Sequence, residues 1–427
     1  MSTVSTPQMG DPVLRLRTLP WTALEGLSAS LRVPLADVLG GRPAERALDR
    51  FLRSHRGLTA PQRSAVAEAV FGVGLWRRRL AHHAGGPWER TGPERLLFAL
   101  LRDLAGLPEA DAARLSGLGD APVPEPLPPP TDLATTWSFP DWLAELFRRD
   151  LGDEADAFAR ALNVPGPVCV RANALRTSRD ALRARLAEEG VTARPTPYAS
   201  DGLLLEGRPN ILGLASQREG LFEVQDEGSQ LLGELLAARP GEAVLDACAG
   251  AGGKTLQLAG QLRNQGSLYA YDPDLERLDR LLQRAARAGV LGLRLLRGAV
   301  PKELRVDRVL VDAPCSSLGS LRRGPDVRWR IDPATLPDFP ELQRGLLDDA
   351  ATHVRPGGRL VYATCTVRRE ENQDVALAFE ARHPDFVRLR PGEGWLPEAL
   401  VRDGFFQAFP HRHGTDGFFA AVYQRRG

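Results

Sequence analysis

The sequence predicts an α/β protein whose mostly parallel sheet is covered by helices on both faces, preceded by a small α+β region and an all-helical N-terminal domain. Three observations carry this. From Glu223 onward, short apolar runs alternate regularly with segments of helical periodicity, the pattern of strand–helix–strand crossovers. Between Pro43 and Gly106, apolar residues instead recur only at helical spacing. Separating the two regions, APVPEPLPPPTD (121–132) is too rich in proline for regular structure and reads as a stiff linker.

In chain order, residues 1–40 form an N-terminal extension with at most one short helix. A helical domain over 41–118 contains AERALDRFLRSH, PQRSAVAEAVFGVGLWRRRLAHHAG and PERLLFALLRDLAG, punctuated by Gly and Pro. The linker takes 119–137. Over 138–218, SFPDWLAELFRRDLG begins a helix at a proline-marked start, PVCVRANALRTS reads as strand and turn, and DALRARLAEEG is a second helix. Residues 219–427 hold the sheet domain, with strands in AVLDAC, SLYAYD, LRLLRG, DRVLVDA, GRLVYAT and DGFFAAVYQ. Ligands of such sheets bind beyond the carboxyl ends of the strands.

Composition narrows the class. At 427 residues, with 43% hydrophobic and 26% charged residues, the chain fits two or three globular domains. It contains no apolar run of membrane-spanning length, and MSTVSTPQMGDPVLRLR lacks the core of a signal peptide, so a cytoplasmic location without membrane contact is expected. The four cysteines, at 169, 248, 315 and 365, have neither zinc-finger spacing nor the density of a disulfide framework. Reduced thiols and no metal are expected. Net charge is only +1, but arginine is concentrated between Arg42 and Arg102. Lys254 and Lys302 are the only lysines, so either one is a candidate for a specific use of its ammonium.

Three motifs sit at predicted strand ends. In the first, Leu245-Asp246-Ala247-Cys248-Ala249-Gly250-Ala251-Gly252-Gly253-Lys254-Thr255, glycines allow close backbone approach to a ligand at a helix N-terminus. A phosphate-binding P-loop is not matched, because Cys248 stands where its first glycine belongs, and a dinucleotide fingerprint fails at Thr255. Asp272, closing the next strand, is spaced to hold ribose hydroxyls, or alternatively to cap a tight turn. The second motif is Asp312-Ala313-Pro314-Cys315, where the pre-proline residue favours extended backbone and exposes Asp312 and Cys315 at the sheet's mouth. Arg322, Arg323, Arg328 and Trp329 follow, a cationic stretch with one stacking surface. In the third, Thr364-Cys365 ends another strand ahead of Arg368, Arg369 and a helix, surroundings that favour a thiolate.

Together these segments resemble the RNA cytosine-5 methyltransferases of the Sun/Nop2 group. The resemblance runs from about Ser138 to Gly427, through Ser138-Phe139-Pro140-Asp141-Trp142-Leu143, Val170-Arg171-Ala172-Asn173, Gln225-Asp226-Glu227-Gly228-Ser229-Gln230, the three strand-end motifs, Glu370-Glu371-Asn372 and Asp416-Gly417-Phe418-Phe419. Residues 43–104 look like the NusB-type RNA-binding domain of the bacterial small-subunit rRNA members.

The resemblance implies a Rossmann-like class I methyltransferase with a seven-stranded sheet, S-adenosylmethionine as cofactor, and small-subunit rRNA as partner of a monomeric enzyme. It implies Cys365 as nucleophile, Cys315 as the thiol of product release, and Asp312 and Lys254 as groups that assist them. The cofactor would lie against Cys248, Ala249, Gly250, Ala251, Gly252, Gly253, Lys254, Asp272 and Asp312. Arg171, Arg322, Arg323, Arg328 and Trp329 are the expected RNA contacts. The sequence departs from the family in having Ala299 where an Asp contacts adenine, and in a helical domain that the proline linker cuts short. Two other functions fit parts of the sequence: a P-loop-like nucleotide hydrolase built on GAGGKT, and a non-catalytic RNA-binding assembly factor. The missing first glycine and Asp272 weigh against the hydrolase, and paired thiols at one cleft weigh against the binding factor.

Overall fold

The computed structural model describes residues 11–427 apart from Asp120, Pro124, Pro126 and Arg208, and all their side chains except that of Pro325. The first ten positions of the expected N-terminal extension, and parts of the linker, therefore lie outside the described residues. The chain divides into two units, one running to Pro165 and including Leu321–Pro333, the other made of Gly166–Ser320 and Ala334–Gly427.

The first unit is helical: α1 (Ser28–Leu39), α2 (Ala44–Ser54), α3 (Ala60–His83), α4 (Pro93–Ala99, continued by a π-turn over Leu100–Leu104), α5 (Glu109–Ser116), α6 (Leu133–Thr136), α7 (Asp141–Leu151) and α8 (Ala155–Ala161). Its spine is α3, started by a reciprocal capping box between Thr59 and Gln62 and buried along Ala65, Val66, Ala69, Val70, Val73, Trp76 and Leu80. Gly72 admits Leu100 of the π-turn, whose side chain would stand 3.0 Å from a Cβ there.

The helical unit is larger than the expected 41–118. Val13, Leu16, Trp21 and Leu24 join the same core from two short 3-10 turns, too short to show a helical period in the sequence. Beyond the linker, Ser138 Oγ accepts from the Arg78 amide at 3.0 Å, and Asp141 pairs with the Arg78 guanidinium at 2.7 Å, tying α3 to the start of α7. The expected 138–218 region is thus shared between the units.

In the second unit, β1 (Val168–Ala172), β2 (Ala193–Pro195), β3 (Gly202–Leu205) and β4 (Phe222–Val224) form a small antiparallel sheet in the order β2-β3-β1-β4, packed on α9 (Arg179–Glu188) and α10 (Ala215–Arg218). The large sheet comprises β5 (Ala243–Asp246), β6 (Ser267–Tyr271), β7 (Leu293–Leu296), β8 (Val306–Asp312), β9 (Val354–Thr364), β10 (Phe386–Leu389), β11 (Val401–Arg402), β12 (Phe405–Ala408) and β13 (Phe418–Arg425). Five strands run parallel in the order β9-β8-β5-β6-β7. β13 joins β9 antiparallel, β12 and β10 both pair with β13, and β11 pairs with β12, so the sheet has nine strands among the described residues where seven were expected.

Strand alternation divides the sheet's faces. Leu310 and Val361 pack with Leu231 and Leu232 of α11 (Glu227–Leu236) and Leu258 of α12 (Gly253–Leu262). Val309, Val311, Leu360 and Tyr362 face Leu347 of α14 (Asp338–Thr352) and Phe379 of α15 (Gln373–Arg382) on the other side. From β5 the chain winds outward through β6 and β7, then returns to lay β8 on the opposite side of β5. That reversal makes the carboxyl ends of β5 and β8 the topological switch point, where ligands of doubly wound sheets bind. No described helix is long and apolar enough to cross a membrane.

Candidate active site

Four strand ends converge on the switch point. β5 ends at Asp246 and β8 at Asp312, Asp272 immediately follows β6, and Cys365 follows the last residue of β9. The registers place Asp246 opposite Leu310 and Asp312 opposite Ala363, so both carboxylates reach the same edge.

The turn from β5 into α12 bends through left-handed backbone at Gly250 (φ 53°) and Gly252 (φ 93°). At Gly252 a Cβ would lie 2.2 Å from Leu281 of α13 (Leu275–Ala288), so only glycine lets the turn seat on that helix. Asp272 fixes the turn: its Oδ2 accepts from the Gly250 amide at 2.9 Å and its Oδ1 from the Asp274 amide at 2.9 Å. The capping use of Asp272 is therefore present, and each oxygen keeps a lone pair for a hydroxyl ligand. A carboxylate seated on this amide also disfavours a phosphate at the turn, which argues against the nucleotide hydrolase. Cys248 and buried Ala249 line the turn, and burial pushes the Cys248 thiol well above its ordinary range. Ala251 gives its carbonyl to Arg284 of α13 at 2.6 Å.

Lys254, in the first turn of α12, reaches back across the switch point to Asp312, with Nζ 2.6 Å from Oδ2. Asp246 is a site residue that motif spacing did not single out. It is 1% exposed; Oδ2 accepts from Thr255 Oγ1 at 2.7 Å, while Oδ1 has no partner. Burial, with the Asp312 charge adding to it, pushes this carboxyl up to about 6. A buried oxygen left unsatisfied beside a glycine turn is free to accept from a donor. The only sequence signal for it is its place as the last residue of a strand at a chain reversal.

The Cys315 and Cys365 sulfurs lie 3.3 Å apart, both partly exposed and neither in a disulfide. The Cys365 amide donates to Cys315 Sγ at 3.4 Å. Ser317, in left-handed backbone at φ 57°, turns the loop so that its Oγ lies 3.4 Å from Cys365 Sγ. The pair is electrostatically unequal. Cys365 is drawn below the ordinary thiol range, first by the hydrogen bond from Cys315 and further by Ser317. Cys315 is pushed well above it, by that same hydrogen bond, burial and the nearby carboxylate of Glu371. Of the two, Cys365 is the thiol that ionises more readily.

Glu371 also escaped assignment of a role from the sequence. It is fully buried in the turn after β9 and accepts from the Ser316 amide and from Gln343 Nε2, each at 2.9 Å, and from Ser316 Oγ. Arg368 pairs with it at 3.0 Å.

The arginines expected at RNA are placed differently. Arg171 is 3% exposed, and its Nη1 donates to Gln225 Oε1 at 2.8 Å and to the Gly253 carbonyl at 3.2 Å, so it braces the start of α12. Burial pushes it down to about 10. Arg328 has no exposed surface: it lies over the Phe139 ring at 3.9 Å and donates to the Trp137 and Ser138 carbonyls and to Asn163 Oδ1, all within the helical unit. Trp329, partly exposed, gives its indole N–H to the Gly74 carbonyl at 2.7 Å and packs tilted against Trp88 with ring centroids 4.9 Å apart. For Arg171 and Arg328 the expectation that they meet RNA is corrected by their engagement inside the protein. Arg322 is buried as well, and Arg323 is exposed. Ala299, at the position where the family carries an Asp, is exposed beyond the end of β7.

Comparison with known proteins agrees with this arrangement. The family model for 16S rRNA methyltransferase RsmB/F matches residues 234–424, and that for the ferredoxin-like domain of the same proteins matches 139–212. The "Probable ribosomal RNA small subunit methyltransferase B" of Synechocystis is 38% identical over 301 residues, covering 68% of this chain and 67% of the relative. Among solved structures, PH0851 superposes with a TM-score of 0.76 at 26% identity over 96% of this chain and 99% of that one. A methyltransferase homologue from Pyrococcus horikoshii gives 0.60 at 28% identity, over 69% and 98%. With its doubly wound sheet, its glycine turn and a relative of this similarity across two thirds of both chains, the protein belongs to the RsmB/F family of 16S rRNA methyltransferases.

Proposed function

We propose that the protein transfers a methyl group to C5 of a cytidine in small-subunit rRNA, through a covalent bond between Cys365 and C6 of the base. The observation that carries this reading is the unequal thiol pair, 3.3 Å apart at the switch point. C5 of cytosine is a weak nucleophile. Addition of the Cys365 thiolate at C6 pushes electron density onto C5, which can then take a methyl group. After transfer, with Cys365 bonded to C6 and uncharged, Cys315 gives its proton to solvent and its thiolate takes the C5 proton; the C–H electron pair forms the C5=C6 bond, and the C6–S bond breaks to return the Cys365 thiolate. Asp312, held by Lys254, is placed to hydrogen-bond the N3/N4 edge of the base and stabilise the adduct.

The residues present fit S-adenosylmethionine, which supplies an electrophilic methyl on a sulfonium when bound. Gly250 and Gly252 let the backbone approach it, Asp272 keeps lone pairs for ribose hydroxyls, and the orphaned Asp246 oxygen accepts from a donor. Adenine contact would rest on the backbone near Ala299. The target base must leave its stack to enter the cleft, so the substrate is an unpaired or partly unfolded stretch of rRNA.

The test is a pair of variants assayed with S-adenosylmethionine and rRNA fragments, with 5-methylcytosine mapped in the product. Cys365→Ala is expected to abolish transfer and all covalent adduct while still binding the cofactor. Cys315→Ala is expected to accumulate an RNA–protein adduct that survives a denaturing gel. Normal turnover in Cys365→Ala would sink the nucleophile assignment.

A further inference from the structure

Cys315 and Cys365 are fixed in place by different means. Cys365 directly follows a strand whose last residue, Thr364, still pairs with Phe419 of β13. Its flanks are also pinned by Asn372, which accepts from Thr364 Oγ1 and donates to the Thr366 carbonyl at 3.0 Å. Cys315 has no such ladder, because the chain has left β8 at Asp312 and passes through proline before reaching it. Its neighbours converge on one carboxylate, with Ser316 Oγ also 2.8 Å from Thr366 Oγ1. Glu371 takes both the amide and the hydroxyl of Ser316, and Gln343 Nε2 bridges Glu371 Oε2 to the Pro314 carbonyl at 2.9 Å from each. Arg368 completes the shell at Oε1 while also donating to the Leu336 carbonyl at 2.8 Å. The two residues flanking Cys315 are thus held, directly or through one amide, by a single buried anion, and an anion with this many donors is rigid.

We infer that Glu371 is the positioning residue for the release thiol: it holds Cys315 against Cys365, so that loss of its charge slows breakage of the C6–S bond more than formation of that bond. This rests on the release role of Cys315 proposed above. The ligand chemistry is unaltered; what Glu371 sets is the partition of the covalent intermediate between persistence and product.

Glu371→Gln keeps the shape and removes the charge. Incubated with rRNA fragment and S-adenosylmethionine, it is expected to accumulate at least tenfold more gel-stable adduct than the parent, with kcat lowered and KM within about twofold. A thermal melt checks that the variant is folded. Gln343→Ala, which removes only the bridge to Pro314, is expected to show the same effect more weakly and keeps the test open if Glu371→Gln does not fold. Combined with Cys315→Ala, Glu371→Gln is expected to form adduct at the same rate as Cys315→Ala alone. Adduct in Cys315→Ala but none above parent level in Glu371→Gln or Gln343→Ala overturns the inference and leaves the release reading standing. A tenfold drop in adduct formation by the double variant also overturns it, since Glu371 would then support attack. Absence of adduct from Cys315→Ala itself overturns the release reading and this inference together.

Discussion

Two stretches of the loop that leaves β8 meet opposite fates. Asp312–Ser317 brings its reactive groups to the edge of the sheet, with Cys315 and Ser317 beside the thiol of the next strand. Arg322–Arg330, five residues later, turns its most distinctive groups inward: Arg328 is engulfed and Trp329 is packed and hydrogen-bonded within the helical unit. Both looked like surface chemistry in the sequence. The difference is that the first is placed by the backbone itself, since a parallel strand delivers its last residue to the ligand edge whatever its side chain. The second is placed by partners distant in sequence: Phe139, Asn163, Gly74 and Trp88 decide whether a guanidinium or an indole ends inside or outside.

Substitutions can break this contrast. The largest effect is expected from Cys365→Ala, complete loss of methyl transfer with an unchanged melting transition, whereas Arg328→Ala is expected to leave chemistry per folded molecule intact and destabilise the helical unit by about 3–5 kcal/mol, because several buried acceptors lose their donor. Denaturant titration alongside single-turnover rates separates the two. If Arg328→Ala were neutral for stability, its burial would not be the reason for its presence.

A smaller effect concerns Asp246. Its carboxyl is raised to about 6 from an unfolded value near 3.9, so its contribution to stability is fully present below about pH 4 and lost as pH rises through 6. Asp246→Asn is therefore expected to be more stable than the parent at pH 7.5 by about 3 kcal/mol, with the gap closing below about pH 4, while cofactor affinity falls. Calorimetric melts at the two pH values, with titration of S-adenosylmethionine, check both halves.

The pH dependence of the chemical step sharpens the same site. With Cys365 drawn down by Cys315 and Ser317, the single-turnover rate is expected to rise with pH to a midpoint below the ordinary thiol value of about 8.5, and Ser317→Ala to move that midpoint upward. The smallest expected change is a null one. In Trp329→Leu, RNA affinity per folded molecule should be unchanged, since no base stacks on the indole; a loss of about 1–3 kcal/mol in binding would return this segment to the RNA surface.

What the sequence revealed follows the same division. Helices α2 and α3 were legible from apolar period and from Pro and Gly punctuation, and the strand ends from runs bounded by turns. The glycine turn was legible because left-handed turns favour glycine, and at Gly252 the approach to Leu281 leaves no room for a Cβ. Val13, Leu16 and Trp21 were not seen as core because two 3-10 turns are too short to show a period. Arg171 and Arg328 were misread because charge reports what a side chain can do and not what it touches. Asp246 and Glu371 were overlooked for a related reason: a carboxylate's role depends on which donors surround it, here Thr255 for one, and Ser316, Gln343 and Arg368 for the other.

The excursion of Leu321–Pro333 into the helical unit also governs how the protein can be shortened or exchanged. A deletion of everything before residue 166 would keep every catalytic strand yet strip Arg328 and Trp329 of Phe139, Asn163, Gly74 and Trp88. It would leave a thirteen-residue tongue of buried-type side chains in water. Such a fragment is a candidate for aggregation, and a helical unit made alone would have an unfilled slot where the tongue belongs. Recombination between relatives meets the same constraint: a swap of the helical unit has to carry residues 321–333 with it, so the two parts of the chain are inherited as one.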